Sequence, residues 1–272
     1  MVTIDKIFHA SVVLKDIIRP TPLAKAYGIA EDCALYLKPE CLQKTGSFKL
    51  RGSGYKIAML SDEEKGKGVI ACSAGNHAQG VALAASKCGI SSLICLPDTA
   101  PISKVEATKG YGAQVCLVPG VYDDAYNKAL ELKEEHGYTF VHPFDDEYVI
   151  AGQGTIGLEI MNEMSDVDAV LVPIGGGGLI SGVACAIKSI SPHVKVYGVQ
   201  AAGAPSMYNA IHHGKMEALT SVSTIADGIA VKKPGELTYE MVKNYVDDIA
   251  LVTEDEIAAA ILALIEKQKM IA

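Results

Sequence analysis

The stretch Asp168-Ala169-Val170-Leu171-Val172-Pro173-Ile174-Gly175-Gly176-Gly177-Gly178-Leu179-Ile180-Ser181 decides how this chain is read. From Ala169 to Ile187 it carries no charge, a length that could span a bilayer as a helix. Pro173 and four consecutive glycines would break such a helix in its middle. A buried strand, a tight glycine turn and a buried helix account for the same letters. That reading leaves several backbone N–H groups free at a helix start, beside the positive end of the helix dipole, where a phosphate binds. The alternative is a plain glycine turn without a ligand. The dinucleotide pattern G-x-G-x-x-G fails, because the sixth position is Ile180 counted from Gly175 and Ser181 counted from Gly176. A P-loop fails as well: Gly177 and Gly182 have the right separation, but Val183 follows where a lysine is needed. A phosphorylated group with no adenosine is left.

Outward from this stretch, short apolar runs and helical patterns alternate almost from end to end. The runs at 34–37, 69–73, 93–96, 114–118, 139–142, 169–174, 195–200 and 248–252 are rich in Val, Ile and Leu and do not strictly alternate. Such runs suit strands buried on both faces of a parallel sheet. Helical patterns lie at 47–60, 76–88, 102–109, 122–135, 148–164, 179–190, 207–211, 235–245 and 254–271. Capping boxes mark helix starts at Ser61…Glu64 and Thr253…Glu256. The last helix places Ile257, Ile261, Leu264 and Ile265 on one face and runs on to Ala272 without a glycine cap. This βαβα rhythm predicts an α/β fold with helices on both faces of the sheet.

Composition bounds the function. The chain has 272 residues, 49% of them hydrophobic, and a net charge of −8, with no basic block. That argues against nucleic acid as the main partner. No basic segment followed by an apolar run opens the chain, so no secretory leader is read there. The seven cysteines, Cys33, Cys41, Cys72, Cys88, Cys95, Cys116 and Cys185, are scattered and form no C-x-x-C pair. They read as reduced thiols of a cytoplasmic protein, with Cys72 a candidate reactive thiol because it adjoins a polar turn. His142 and His212-His213 have no partners at ligand spacing, so no metal site is expected.

Two further motifs complete a site. Ser73-Ala74-Gly75-Asn76-His77-Ala78-Gln79-Gly80 follows an apolar run and opens a helix. Its hydroxyl, carboxamide and free N–H groups suit a carboxylate or an aromatic hydroxyl, although Ser73 or Asn76 could equally be an ordinary N-cap. Lys44-Thr45-Gly46-Ser47-Phe48-Lys49-Leu50-Arg51-Gly52 places Lys49 just inside a helix. Flanked by Phe48 and Leu50, a half-buried lysine has a lowered pKa and reacts with a carbonyl; an exposed helix lysine is the bland reading.

These three motifs, in this order, with Arg19-Pro20-Thr21-Pro22-Leu23 and Thr224–Lys232, resemble the pyridoxal-phosphate-dependent serine/threonine dehydratases of fold type II. The resemblance covers essentially the whole chain. It implies two parallel-sheet three-layer α/β domains, the smaller (54–141) inserted in the larger (1–53 and 142–272). It implies pyridoxal 5'-phosphate as cofactor, joined to Lys49 and flanked by Phe48. Asn76 would bond the ring hydroxyl, and Gly175, Gly176, Gly177, Gly178 and Leu179 would hold the phosphate. Ser73, Ala74, Gly75, Asn76 and His77 would hold the substrate carboxylate. Lys49 would also be the base. The reaction implied converts L-threonine to 2-oxobutanoate and ammonia, and L-serine to pyruvate, in a cytoplasmic dimer or tetramer of the shorter, catabolic type.

Branch points within the resemblance are read residue by residue. Cysteine synthases are similar but end the asparagine loop in Thr where His77 stands. Serine racemases carry a second Ser where Ala74 stands, as a base on the opposite face, so racemisation is expected to be weak. Racemase-like members place acidic metal ligands near Gln200 and Ser206, both neutral here. Members continue beyond the last helix with a strand and a glycine loop that meets the pyridine nitrogen. This chain ends at Ala272 without one, so a C-terminally shortened chain is expected. The competing readings are a non-catalytic fragment or pseudoenzyme, and a transferase such as threonine synthase or cysteine synthase.

Overall fold

The computed structural model describes residues 2–271. Helix α1 (Ile4–Val13) opens the chain, its first turn closed by the Thr3 hydroxyl accepting from the Lys6 amide. The short antiparallel pair β1 (Ala24–Lys25) and β2 (Tyr36–Leu37) follows, then helices α2 (Lys49–Ala58) and α3 (Asp62–Lys67). The Ser61–Glu64 capping box starts α3 as its sequence requires. Next come β3 (Val69–Cys72), α4 (Asn76–Lys87), β4 (Ser92–Pro97), α5 (Ile102–Gly110), β5 (Gln114–Val118), α6 (Tyr122–His136) and β6 (Thr139–Phe140). Their four strands make one parallel sheet in the order β5-β4-β3-β6.

The second half supplies α7 (Glu147–Glu163), β7 (Ala169–Pro173), α8 (Gly178–Ile190), β8 (Lys195–Ala201), α9 (Ser206–His213), α10 (Glu236–Tyr245), β9 (Asp248–Val252) and α11 (Glu254–Ala263). A second parallel sheet runs β7-β8-β9. The uncharged stretch from Ala169 is therefore strand, glycine turn and helix. Among the described residues no helix is long and apolar enough to cross a membrane.

Side-chain size sets how close the layers come. α4 packs Ala78, Val81, Ala82 and Ala85 into the core that holds Ala71, Ile94 and Leu96. Ala125 and Ala129 of α6 cover the opposite face with Ile70, Cys72 and Cys95. In the second sheet, Val172, Val196 and Ile249 join Ile180, Val183 and Ile187 of α8 and Val242 of α10. Each such fully buried aliphatic side chain contributes about 1.5–3 kcal/mol. α7 and α8 touch backbone to backbone: a Cβ on Gly154 would lie 2.9 Å from the Gly182 carbonyl oxygen.

Helix α2 lies between the two halves. On one side a Cβ on Gly80 of α4 would come 3.1 Å from the Leu50 amide nitrogen. On the other, a Cβ on Gly52 would come 2.8 Å from the Val149 carbonyl of α7. The sequence pattern missed α1 and β1, placed β2 within its run at 34–37, and carried the last helix too far. α11 ends at Ala263 in a wide turn over Leu264–Gln268, and none of its residues is fully buried. Leu171, expected in a strand buried on both faces, is 64% exposed, while Val170 and Val172 on the other face of β7 join the core.

Candidate active site

After β7 the chain passes Gly175 and Gly176, turns at Gly177 (φ +96) and enters α8. Among the described residues the amides of Gly175 through Ile180 have no hydrogen-bond acceptor, and the first helical bond runs from Ser181 to the Gly177 carbonyl (3.0 Å). Six donors without a partner thus lie at or just before a helix N-terminus, the make-up of an anion cradle. The glycines are sterically required. A Cβ on Gly178 would lie 2.8 Å from Phe144 Cβ, and one on Gly176 would overlap the Phe144 ring. Thr238 fixes the loop from behind: its hydroxyl donates to the Gly176 carbonyl (2.6 Å) and accepts from the Gly235 amide (3.1 Å).

Lys49 is the first residue of α2, with Phe48 at its N-cap. Its Nζ donates to the Pro143 carbonyl (3.1 Å) and lies 5.2 Å from the centre of the Phe48 ring. Burial pulls its pKa down to about 8. One cavity is lined by Phe48, Lys49, Pro143, Phe144, Gly175–Leu179, Ile229 and Val231. The structure therefore brings the lysine and the amide cradle into the same space, which their separation in sequence does not reveal.

The turn after β3 is placed differently. Ser73 Oγ accepts from the Gly75 amide (3.1 Å), and Ala74 packs against the core. The Asn76 side chain is exposed at the start of α4 and has no hydrogen bond among the described residues. His77 turns its ring inward, where Nε2 donates to the Val141 carbonyl (2.8 Å). Desolvation first, and the nearby Lys49 charge second, push its pKa down to about 3, so it is neutral. The imidazole is thus committed to the main chain, and His77 offers a ligand only its amide. Cys72 is no reactive thiol: burial pushes its pKa up to about 12.

Two features escaped the sequence. Arg51 is completely buried and forks onto two carboxylates. Its Nε and Nη2 donate to Glu40 (2.8 Å each) and its Nη1 and Nη2 to Glu159 (2.6 and 2.9 Å). It anchors the first turn of α2, two residues from Lys49. The segment 141–146 is the other. Besides accepting from Lys49 and His77, it places His142 Nδ1 as acceptor for the Phe144 and Asp145 amides (3.3 and 2.8 Å). Asp145 accepts from the Glu236 and Thr238 amides (3.1 and 3.0 Å) at the start of α10. No local pattern signals either feature: Glu40 and Glu159 lie 11 and 108 positions from Arg51, and the turn at 142–145 has no motif of its own.

The residues present fit pyridoxal phosphate. A cradle of amides that side chains would fill suits its phosphate, and a desolvated amine in the same cavity suits its aldehyde. No group of three or more metal-ligating side chains occurs among the described residues.

Residues 14–272 match the family described as pyridoxal-phosphate dependent enzyme. The L-threonine ammonia-lyase of Thermotoga maritima is 54% identical across all of this chain, which spans 68% of that protein. The catabolic L-threonine dehydratase TdcB of Escherichia coli K12 is 48% identical over 99% of the chain, which spans 83% of it. Among solved structures, maize serine racemase superposes with a TM-score of 0.96 at 37% identity, over 99% of this chain and 82% of that one.

Proposed function

Because the chain belongs to the pyridoxal-phosphate-dependent enzyme family, we propose that it is an ammonia-lyase acting on L-threonine. The net reaction takes L-threonine to 2-oxobutanoate and ammonia, with L-serine giving pyruvate. One observation carries the reading: the Lys49 amine and the free amides of Gly175–Leu179 line one cavity. The preference for threonine rests on the relatives at 54% and 48% identity.

When bound, pyridoxal phosphate supplies an electron sink that acidifies the α-proton of an amino acid and lets a β-hydroxyl leave. The chain's own residues do the rest. The amides of Gly175–Leu179 hold the phosphate without spending a charged side chain on it. Phe48 flanks the cavity. Lys49 anchors the cofactor and is the group that takes the α-proton. A pKa near 8 leaves a useful neutral fraction at neutral pH. The Ser73 hydroxyl with the amides of Asn76 and His77 would receive the substrate carboxylate at the start of α4, and the exposed Asn76 carboxamide would serve the ring hydroxyl. Ala74 has no proton to exchange, so no second base stands there and racemisation is disfavoured.

The test begins with the absorbance spectrum of the purified chain, borohydride reduction and peptide mapping. A pyridoxyl group on Lys49 is expected, with 2-oxobutanoate released from threonine. Absence of that group from Lys49 sinks the reading. Turnover of O-acetylserine with sulfide, and none of threonine, would make the chain a transferase. The family resemblance also supports a homo-oligomer, which sedimentation checks, and the seven free thiols support a reducing, cytoplasmic setting.

A further inference from the structure

We infer that His142 is a positioning residue for Lys49, acting through the Pro143 carbonyl and the Phe144 ring. The inference rests on Lys49 being the cofactor lysine. His142 Nδ1 accepts from two successive amides, those of Phe144 (3.3 Å) and Asp145 (2.8 Å). Its proton is therefore assigned to Nε2. One ring nitrogen closes a turn of the kind that an Asn or Asp oxygen closes elsewhere.

Three contacts depend on that closed turn. The Pro143 carbonyl shares a peptide plane with the Phe144 amide, so the bond from that amide to Nδ1 sets the plane and aims the carbonyl at Lys49 Nζ (3.1 Å). The Phe144 ring stands edge-on to the imidazole, at 4.7 Å and 87°, and occupies the space that Gly176 leaves open, while Phe144 Cβ and main chain occupy the space at Gly178. The Asp145 carboxylate receives the amides of Glu236 and Thr238, and the Thr238 hydroxyl holds the Gly176 carbonyl. A turn of four residues thus touches the lysine on one side and the phosphate cradle on the other. Burial, aided by the Lys49 charge, holds the imidazole below its ordinary pKa against the pull of Asp145 and Asp146, which favours the Nδ1 lone pair that the turn uses.

Two substitutions separate an acceptor role from simple space filling. His142→Asn keeps an acceptor for the turn amides, whereas His142→Leu keeps bulk without one. The first readout is the pH midpoint of Lys49 modification by trinitrobenzenesulfonate in the full chain without added cofactor, followed by peptide mass. The second is the dissociation constant of pyridoxal phosphate from an absorbance titration. For His142→Leu the midpoint is expected to move up from about 8 toward 10.5 as water reaches the amine. Cofactor binding is expected to weaken about tenfold or more, the scale of losing one buried hydrogen bond. His142→Asn should stay within about threefold of the parent in binding, with an unshifted midpoint.

A leucine variant that matches the parent in both readouts overturns the inference. So does an asparagine variant as impaired as the leucine one, which would make the ring itself the requirement. Circular dichroism reports folding. Should the leucine variant fail to fold, His142→Gln replaces it: its acceptor sits one methylene farther out, it is expected to fall short of Asn in both readouts, and parity with Asn overturns the inference. A parent chain without a pyridoxyl group on Lys49 would instead overturn the functional reading beneath it.

Discussion

An ammonium stripped of water raises the free energy of the native state, and Lys49 carries that cost. With a native pKa of about 8 against 10.5 for a free lysine, the folded chain binds fewer protons than the unfolded one between those values. Stability of the cofactor-free chain therefore rises with pH across that window and is lowest below it. Lys49→Met is expected to unfold at higher denaturant than the parent at pH 7, and the advantage should fade at pH 10.5. An advantage equal at both pH values would show that the desolvated charge is not its source. Arg51 works in the opposite sense. Arg51→Met leaves Glu40 with only the Thr21 hydroxyl and Glu159 with only Lys38 and the Thr21 amide, and is expected to cost about 3 kcal/mol in urea titrations. Lys49 and the glycines were legible in sequence because each sits in a short motif with its own chemistry. Arg51 and His142 were not, since their roles come from Glu159 and from a turn whose meaning depends on what it touches.

Elements follow local rules more faithfully. β5 and β9 fall on the residues their apolar runs predict, and α3 and α11 start at their capping boxes. Ends are less legible. β6 stops at Phe140: the Val141 amide still donates to the Ile70 carbonyl (2.9 Å), but the Val141 carbonyl turns to His77 and the Pro143 carbonyl to Lys49. α1 was missed because no strand precedes it to complete the alternation. Glycines inside helices have two physical meanings, and the sequence alone does not separate them. In α8, a Cβ on Gly182 would overlap the Ile150 carbonyl and lie 2.5 Å from the Gly154 amide nitrogen. Gly182→Ala must therefore part α7 from α8, with an expected loss of about 1–3 kcal/mol or more. In α3, a Cβ on Gly66 would meet nothing within 4 Å. There the same change should stabilise by up to about 1 kcal/mol through helix propensity. Urea midpoints of the two variants should move in opposite directions; a common direction would mean that the helix contact does not govern Gly182.

At the scale of the molecule, the site exists because α2 is gripped from both sides. α4 belongs to the four-stranded sheet and α7 packs on α8 of the other half, so Lys49 sits on the element that both halves hold. The parallel α/β layering was legible from the alternation and the second sheet only from the family resemblance, but the wedge was legible from neither, because the contacts that make it run between glycines and backbone rather than between patterned side chains. Gly80→Ala tests the wedge. Its Cβ would lie 3.0 Å from Ser53 Oγ and 3.1 Å from both the Leu50 nitrogen and the Lys49 carbonyl carbon, so α2 must yield by a few tenths of an ångström. Within α4 the alanine gains about 1 kcal/mol of helix propensity, which offsets much of the strain. The expected outcome is a thermal midpoint close to that of the parent together with cofactor binding weakened about tenfold, since a small displacement of the anchoring lysine relative to the cradle costs binding before it costs folding. A variant that binds pyridoxal phosphate as the parent does, while its thermal midpoint falls by several degrees, would show that α4 supports the fold without setting the position of Lys49.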